Sequence, residues 1–176
     1  MRILSFPQVR QVYDYDCGAA AAQAVLGYFG IDVGEDKIMK IAGTRKKSGT
    51  SPAGIIKIWQ KYGLEGAIKK LSLLQIKKEI DKGRPVVVLL QAWSSREKVD
   101  WENNWADGHY AVVIGYDKKK IYFEDPFSLF RVYLSYAEFQ KRWHGFWGVE
   151  RKSVLIGIVV VAGRRQADFK KFIKMR

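Results

Sequence analysis

The chain has 176 residues, 48% of them hydrophobic and 14% aromatic, and a formal charge of +13. That composition excludes a disordered or low-complexity segment, and a single cysteine excludes an internal disulfide. The length suits one domain, residues 1–176.

No apolar stretch of signal-peptide length precedes Pro7. The longest apolar run, Val154–Gly163, is shorter than the about 20 residues that a bilayer-spanning helix needs. No membrane span is therefore expected, and a lone free thiol fits a reducing, cytoplasmic setting. The 31 Lys and Arg residues are scattered through turns, polar helix faces and the tail. No nucleic-acid-binding motif accompanies them, so a specific nucleic-acid partner is not expected.

In chain order, "GAAAAQAVLGYF" predicts a helix over 18–29, stopped at Gly30. A second helix is expected over Gly34–Ala42, with Glu35 and Asp36 in the first turn, where the helix dipole favours them. The turn-rich "GTRKKSGTSP" follows. Thr50 or Ser51 then caps a third helix that has Pro52 in its first turn and Ile55, Ile56, Ile58 and Trp59 on its apolar face. "LEGAIKKL" reads as a short strand, and "SLLQIKKEIDKG" as a helix capped by Ser72 and stopped by Gly83.

From "RPVVVLLQAW" onward the pattern becomes β-rich: "HYAVVIGYD", "KIYFEDPF", "RVYLS" and "VLIGIVVVAG", the last read as one buried strand. "YDKKKIYF" predicts a hairpin, and "YAEFQKRW" a short helix capped by Ser135. Helices first and antiparallel strands second predict an α+β fold.

Cys17 stands where a polar loop turns into the first helix. There a thiol meets unpaired backbone N–H groups and the positive end of the dipole, which favour its anion. Acyl transfer from a thiolate also needs a proton donor for the leaving amine. His109, at the start of a strand after "WENNWADG", is the better of the two histidines. The other, His144, lies in the aromatic loop "KRWHGFWG" without a nearby carboxylate. Asp125, in "FEDPF", sits where a hairpin would return the chain beside His109. There a carboxylate fixes the imidazole tautomer and stabilises its charged form. Gln11, six residues before Cys17, can bring an amide donor to a developing oxyanion, with the Cys17 N–H as the second donor.

These stretches, "QVYDYDCGAAAAQAVLGYFG", "GTSPAGIIKIWQKYGLEG", "LLQIKKEIDKGRPVVVLL" and "GHYAVVIGYDKKKIYFEDP", resemble the C39-like cysteine peptidases. That family includes the bacteriocin-processing peptidase domains of ABC transporters and freestanding relatives. The resemblance runs from Pro7 to Pro126. It implies a papain-like fold in which a nucleophile helix packs on an antiparallel sheet. It also implies Cys17 as nucleophile, His109 as general base and acid, Asp125 as orienter and Gln11 in the oxyanion hole. Asp16 and Gly18 beside the thiol, Gly108 and Tyr110 beside the imidazole, and Trp105 are expected in the substrate cleft.

The implied partner is a peptide or protein substrate, without a metal or other cofactor. One Cys and two His at distant positions do not form a zinc ligand set. No transporter domain is attached, so cleavage after a Gly-Gly leader is not carried over. The tryptophan-rich segment Ala92–Gly108, with Trp93, Trp101 and Trp105, is longer than the family needs. It either lines a cleft or lid, or packs over the sheet edge. Two alternatives stay open beside hydrolysis: an acyl or peptidyl transferase using the same groups, and a non-catalytic module that binds peptide or nucleic acid.

Overall fold

The computed structural model describes residues 1–147, 151–162, 172 and 174. The basic tail noted in the sequence lies almost wholly outside them. The order is β1 (Arg2–Ile3), α1 (Cys17–Tyr28), α2 (Glu35–Ala42), α3 (Pro52–Lys61), β2 (Glu65–Lys70), α4 (Leu73–Asp81) and β3 (Val86–Gln91). Then come β4 (Gly108–Tyr116), β5 (Lys120–Glu124), β6 (Val132–Ser135), α5 (Tyr136–Arg142), β7 (His144–Trp147), β8 (Arg151–Val154) and β9 (Ile156–Ala162). This is the α+β arrangement that the sequence predicts.

Local chemistry sets the helix ends. Ser51 accepts from the Gly54 N–H at the start of α3, while Thr50 instead pairs with the Thr44 hydroxyl. Ser72 and Ser135 each form a reciprocal capping box, with Gln75 and Glu138. Helix α2 ends on Gly43, at φ +67°, a conformation that glycine adopts without a Cβ penalty.

The main sheet runs β2-β9-β3-β4-β5-β6, with every pairing antiparallel. Strand β1 pairs with the far end of β4, at Gly115 and Tyr116. Strand β3 is buried at all six positions, because it lies at the centre of the sheet. Helix α1 is buried along almost its whole length. Its run of alanines, Ala19–Ala22, brings neighbouring elements close to the helix backbone. One such neighbour is the Trp59 indole, which donates to the Ala22 carbonyl at 3.2 Å. No described helix is long and apolar enough to cross a membrane.

Two segments differ from the sequence expectation. "VLIGIVVVAG" is not a single strand. Val154 ends β8, which pairs with β7, and Ile156 begins β9 in the main sheet. Leu155 breaks the run with φ +60°, a left-handed conformation unusual for a residue with a Cβ. The aromatic segment around His144, expected as a loop, is strand β7.

Candidate active site

Cys17 is the first residue of α1 and is partly exposed. No side chain caps this helix, so its first-turn amides stay available to a bound anion. Asp16 occupies the cap position, but its carboxylate turns back into the preceding loop. There Oδ2 accepts from the amides of Val12 (3.3 Å) and Tyr13 (3.2 Å).

The segment leading to Cys17 is tied along its length to the strands that carry the rest of the site. The Leu4 amide donates to Ile114, the Phe6 carbonyl accepts from Arg131, and the Gln11 amide donates to the Pro126 carbonyl at 3.0 Å. The last bond fastens the loop before the thiol to the turn after β5.

His109 opens the buried part of β4, and Asp125 follows the last residue of β5. The β4–β5 register pairs Val112 with Glu124, which places Asp125 near His109. His109 Nε2 lies 2.9 Å from Asp125 Oδ1. With Nε2 engaged there, Nδ1 is the nitrogen left to face Cys17, whose charge the ring feels. Burial opposes charge on this ring. The hydrogen bond to Asp125 and the charges of Cys17 and Asp125 outweigh it and raise the His109 pKa to about 10. Burial pushes the Asp125 carboxyl up, but the His109 bond and charge, the Phe127 amide and the Trp93 indole hold it below the usual range.

The sequence reading missed two supports. Trp93 donates from Nε1 to Asp125 Oδ2 at 3.0 Å, and its ring lies 5.2 Å from that of Phe127. It reaches there from a backbone at φ +58°, which costs a non-glycine residue about 1–3 kcal/mol. Gln91 is fully buried at the end of β3. Its Nε2 donates to the His144 carbonyl, and its Oε1 accepts from the Asp107 amide, next to Gly108 and His109. Neither residue carries a sequence signal beyond its polar or amphipathic type.

The other tryptophans of the long segment pack. Trp101 lies 3.8 Å under the Arg142 guanidinium, and Trp105 sits against His144 and Phe146. The segment is closed on itself by Arg96, which donates to Asn104 and pairs with Asp107.

A crevice of about 190 Å³ beside Cys17 is lined by Asp14, Tyr15, Ser48–Thr50, Leu89, Gly108, Tyr110, Phe146 and Trp147. Gly108 and Tyr110 thus line the space beside the thiol. Trp105 does not; it belongs to the packing around β7. Asp16 and Gly18, expected in the cleft, do not line it: Asp16 is fully buried, and Gly18 is buried against Thr50 and Tyr110. The Tyr110 hydroxyl is buried without a hydrogen-bond partner, and burial together with the nearby Cys17 pushes its pKa up. The Gln11 side chain differs from expectation: its Nε2 donates to the Tyr13 carbonyl at 2.8 Å, and its Oε1 is buried without a donor. Phe146 and Trp147 enter the crevice from β7, which the sequence did not reveal as a strand.

The sequence pattern of the Peptidase_C39 like family matches residues 3–149. The chain belongs to this family. An uncharacterized protein of Methanothermobacter marburgensis is 30% identical over 118 residues, which are 67% of this chain and 70% of that one. The fold is similar to that of the peptidase domain of Streptococcus ComA, a bifunctional ABC transporter of a quorum-sensing pathway. There the TM-score is 0.65 at 23% identity, over 86% of this chain and 96% of that one. It is also similar to a double glycine motif protease of an AMS/PCAT transporter, solved with its leader peptide: TM-score 0.65, 19% identity, 90% and 96% covered. At these identities the two structures speak to the fold, not to the chemistry.

Gly18 offers a test of how tightly the C39-like site is assembled. A Cβ there would stand 2.8 Å from Thr50 Cβ and 2.9 Å from the Tyr110 ring. In an open helix Gly→Ala would gain about 1 kcal/mol. Here the new methyl meets a β-branched side chain and a buried ring, and overpacking of that kind costs about 1–3 kcal/mol. Gly18→Ala is expected to lower the melting temperature; an unchanged or higher value would show that the Thr50 loop yields freely.

Proposed function

We propose that this protein is a cysteine peptidase that hydrolyses peptide bonds through Cys17, His109 and Asp125. The supporting observation is the position of His109, bonded to Asp125 and electrostatically coupled to Cys17, whose crevice its neighbours Gly108 and Tyr110 line. The sulfur attacks the scissile carbonyl while the oxyanion takes the Cys17 amide at the uncapped start of α1. Gln11 supplies the second donor by releasing the Tyr13 carbonyl. His109 then protonates the leaving amine, and in the second half it takes a proton from the water that hydrolyses the thioester. Asp125 keeps Nε2 protonated and supports the positive ring.

A narrow crevice bounded by Gly49 and Gly108 favours small residues at the scissile bond. The β5–β6 connection exposes Phe127 (54%), Leu129 (71%) and Phe130 (76%), an apolar rim suited to a hydrophobic stretch of substrate. The double glycine protease solved with a leader peptide makes leader-like peptides the first substrates to try. A nucleophile of this kind works only as a free thiol, which favours a reducing compartment such as the cytoplasm.

The test is mass spectrometry of a peptide library incubated with the parent and with Cys17→Ala. Cleavage by the parent and none by the variant is expected. Equal cleavage by both sinks the proposal. Products that carry an added amine instead of water redirect it to acyl transfer.

A further inference from the structure

Behind the Cys17 helix two acids meet. Asp16 Oδ1 and Glu35 Oε1 are both buried, and neither receives an N–H or O–H donor from another residue. Asp16 is fully buried at the start of α1, and Glu35 is the first residue of α2. Helices α1 and α2 pack on each other, and the two carboxyl groups converge on the Val12 amide, which Asp16 Oδ2 accepts and which Glu35 also feels. Two ionised carboxylates would repel there, and each orphaned oxygen would carry a desolvation cost of about 1–3 kcal/mol. One proton between them removes both penalties.

We propose that Glu35 is a positioning residue: its carboxyl carries a proton, donates it as a hydrogen bond to Asp16, and so keeps the Asp16 carboxylate turned away from the first amides of α1. This rests on the peptidase reading, because those amides matter as the oxyanion site beside Cys17.

At a helix cap an aspartate normally accepts from the second or third amide of its own helix. Asp16 makes no such bond; it holds the amides of Val12 and Tyr13 instead. Released from Glu35, it would be drawn to the uncapped amides by hydrogen bonding and by the dipole. There it would fill the oxyanion site with a fixed negative charge. It would also let go of the loop that carries Gln11.

The proton is lost near neutrality. Burial, the hydrogen bond to Asp16, and the charges of Asp16 and Asp36 raise the Glu35 pKa to about 7, against a smaller opposite effect of the Val12 amide. Beside Asp16 stand the Cys17 thiol, the next residue, and Tyr15 of the same loop, which feels the charges of Tyr13, Asp16 and Asp14. Because the folded-state pKa is raised, the arrangement is complete below the ordinary Glu range and is lost as pH rises through about 7. The His109–Asp125 pair still holds its charges in that window.

The experiment has two arms. In the first, the carboxyl carbon of Glu35 is followed by NMR with pH, its signal assigned by loss in Glu35→Gln. A midpoint near 7 is expected; one in the ordinary carboxyl range overturns the proposal whether or not the protein cleaves peptides. In the second, kcat/KM is measured from pH 5 to 9 on a peptide that the parent cleaves. The parent is expected to lose activity with a midpoint near 7. Glu35→Gln, which still donates to Asp16, is expected to lose that step and keep its activity to higher pH. Glu35→Ala is expected to fall at least tenfold at all pH values. Coincident profiles for the parent and Glu35→Gln overturn the positioning role and leave the peptidase reading standing. A parent that cleaves nothing overturns that reading and the positioning role with it, even if the NMR midpoint is raised.

Discussion

His109→Ala is expected to lower kcat/KM on any peptide substrate by about 10⁴-fold, which corresponds to about 5.5 kcal/mol of barrier. Two losses combine. Cys17 loses the positive neighbour that the ring supplies, and the leaving amine loses its acid. The ring is buried at the end of β4, and its removal leaves Asp125 with the Trp93 and Phe127 donors still in place. The variant should therefore fold, which circular dichroism checks. His109→Gln, closer in volume, guards against collapse of the cavity. Alkylation of Cys17 by iodoacetamide at pH 6 should slow in both variants, because a thiol without a cationic neighbour is mostly protonated there. Retention of a tenth or more of parental activity by either variant removes His109 from the mechanism.

The three groups were legible in the sequence for an identifiable reason. Each sits at the end of a regular element whose own signal is strong. The alanine run fixes where α1 starts and hence where Cys17 stands. The tight "DKKK" turn sets the register that returns Asp125 to His109, with Asp117 closing it by accepting from the amides of Lys119 and Lys120. Serine caps and glycine stops marked the helices because they satisfy backbone groups within one turn.

What stayed illegible depends on contacts between distant segments. Leu155 takes a left-handed backbone that glycine or asparagine would have announced and leucine does not. So Val154, the last residue of β8, read as the start of the strand that is β9, and the β7 contribution of Phe146 and Trp147 to the crevice went unseen. Trp93 is aimed at Asp125 by another such backbone in a stretch without periodicity. Gln91 ends an apolar run and looks like the first solvent-facing residue after a strand, yet it is fully buried between the start of β7 and the loop at Asp107. Asp16 has the residue type of a helix cap, and only the fold brings Glu35 to the other side of its carboxylate.

Asp125→Ala is expected to weaken both the fold and the chemistry, in a way that depends on pH. The parent pair is buried on both sides, with side-chain exposures of 8% for His109 and 3% for Asp125. Removing one partner of such a pair typically costs about 3–5 kcal/mol, because the remaining charge is left without compensation. The signs follow from the two shifts. His109 has a raised folded-state pKa, so its contribution is complete below about pH 6.5, the unfolded value, and fades as pH climbs toward about 10. Asp125 has a depressed one, so its contribution is present above its ordinary value and is lost as pH falls through the lowered one. The stability difference between parent and Asp125→Ala should therefore be greatest between about pH 4 and 6.5 and shrink on either side. Urea denaturation at pH 3, 5.5 and 10 measures it directly. Asp125→Asn separates charge from shape. Its carbonyl can still accept from His109 and the Phe127 amide at the Oδ1 position, but its NH2 then faces the Trp93 indole N–H that Oδ2 accepts, so it should recover only part of the stability. Without the carboxylate, however, His109 gives up its proton at lower pH, and in the Glu35→Gln background, where no step near 7 intervenes, the alkaline limit of turnover should move down. A difference in stability that is flat across all three pH values would mean that the carboxylate acts by filling space and not by holding the charged ring.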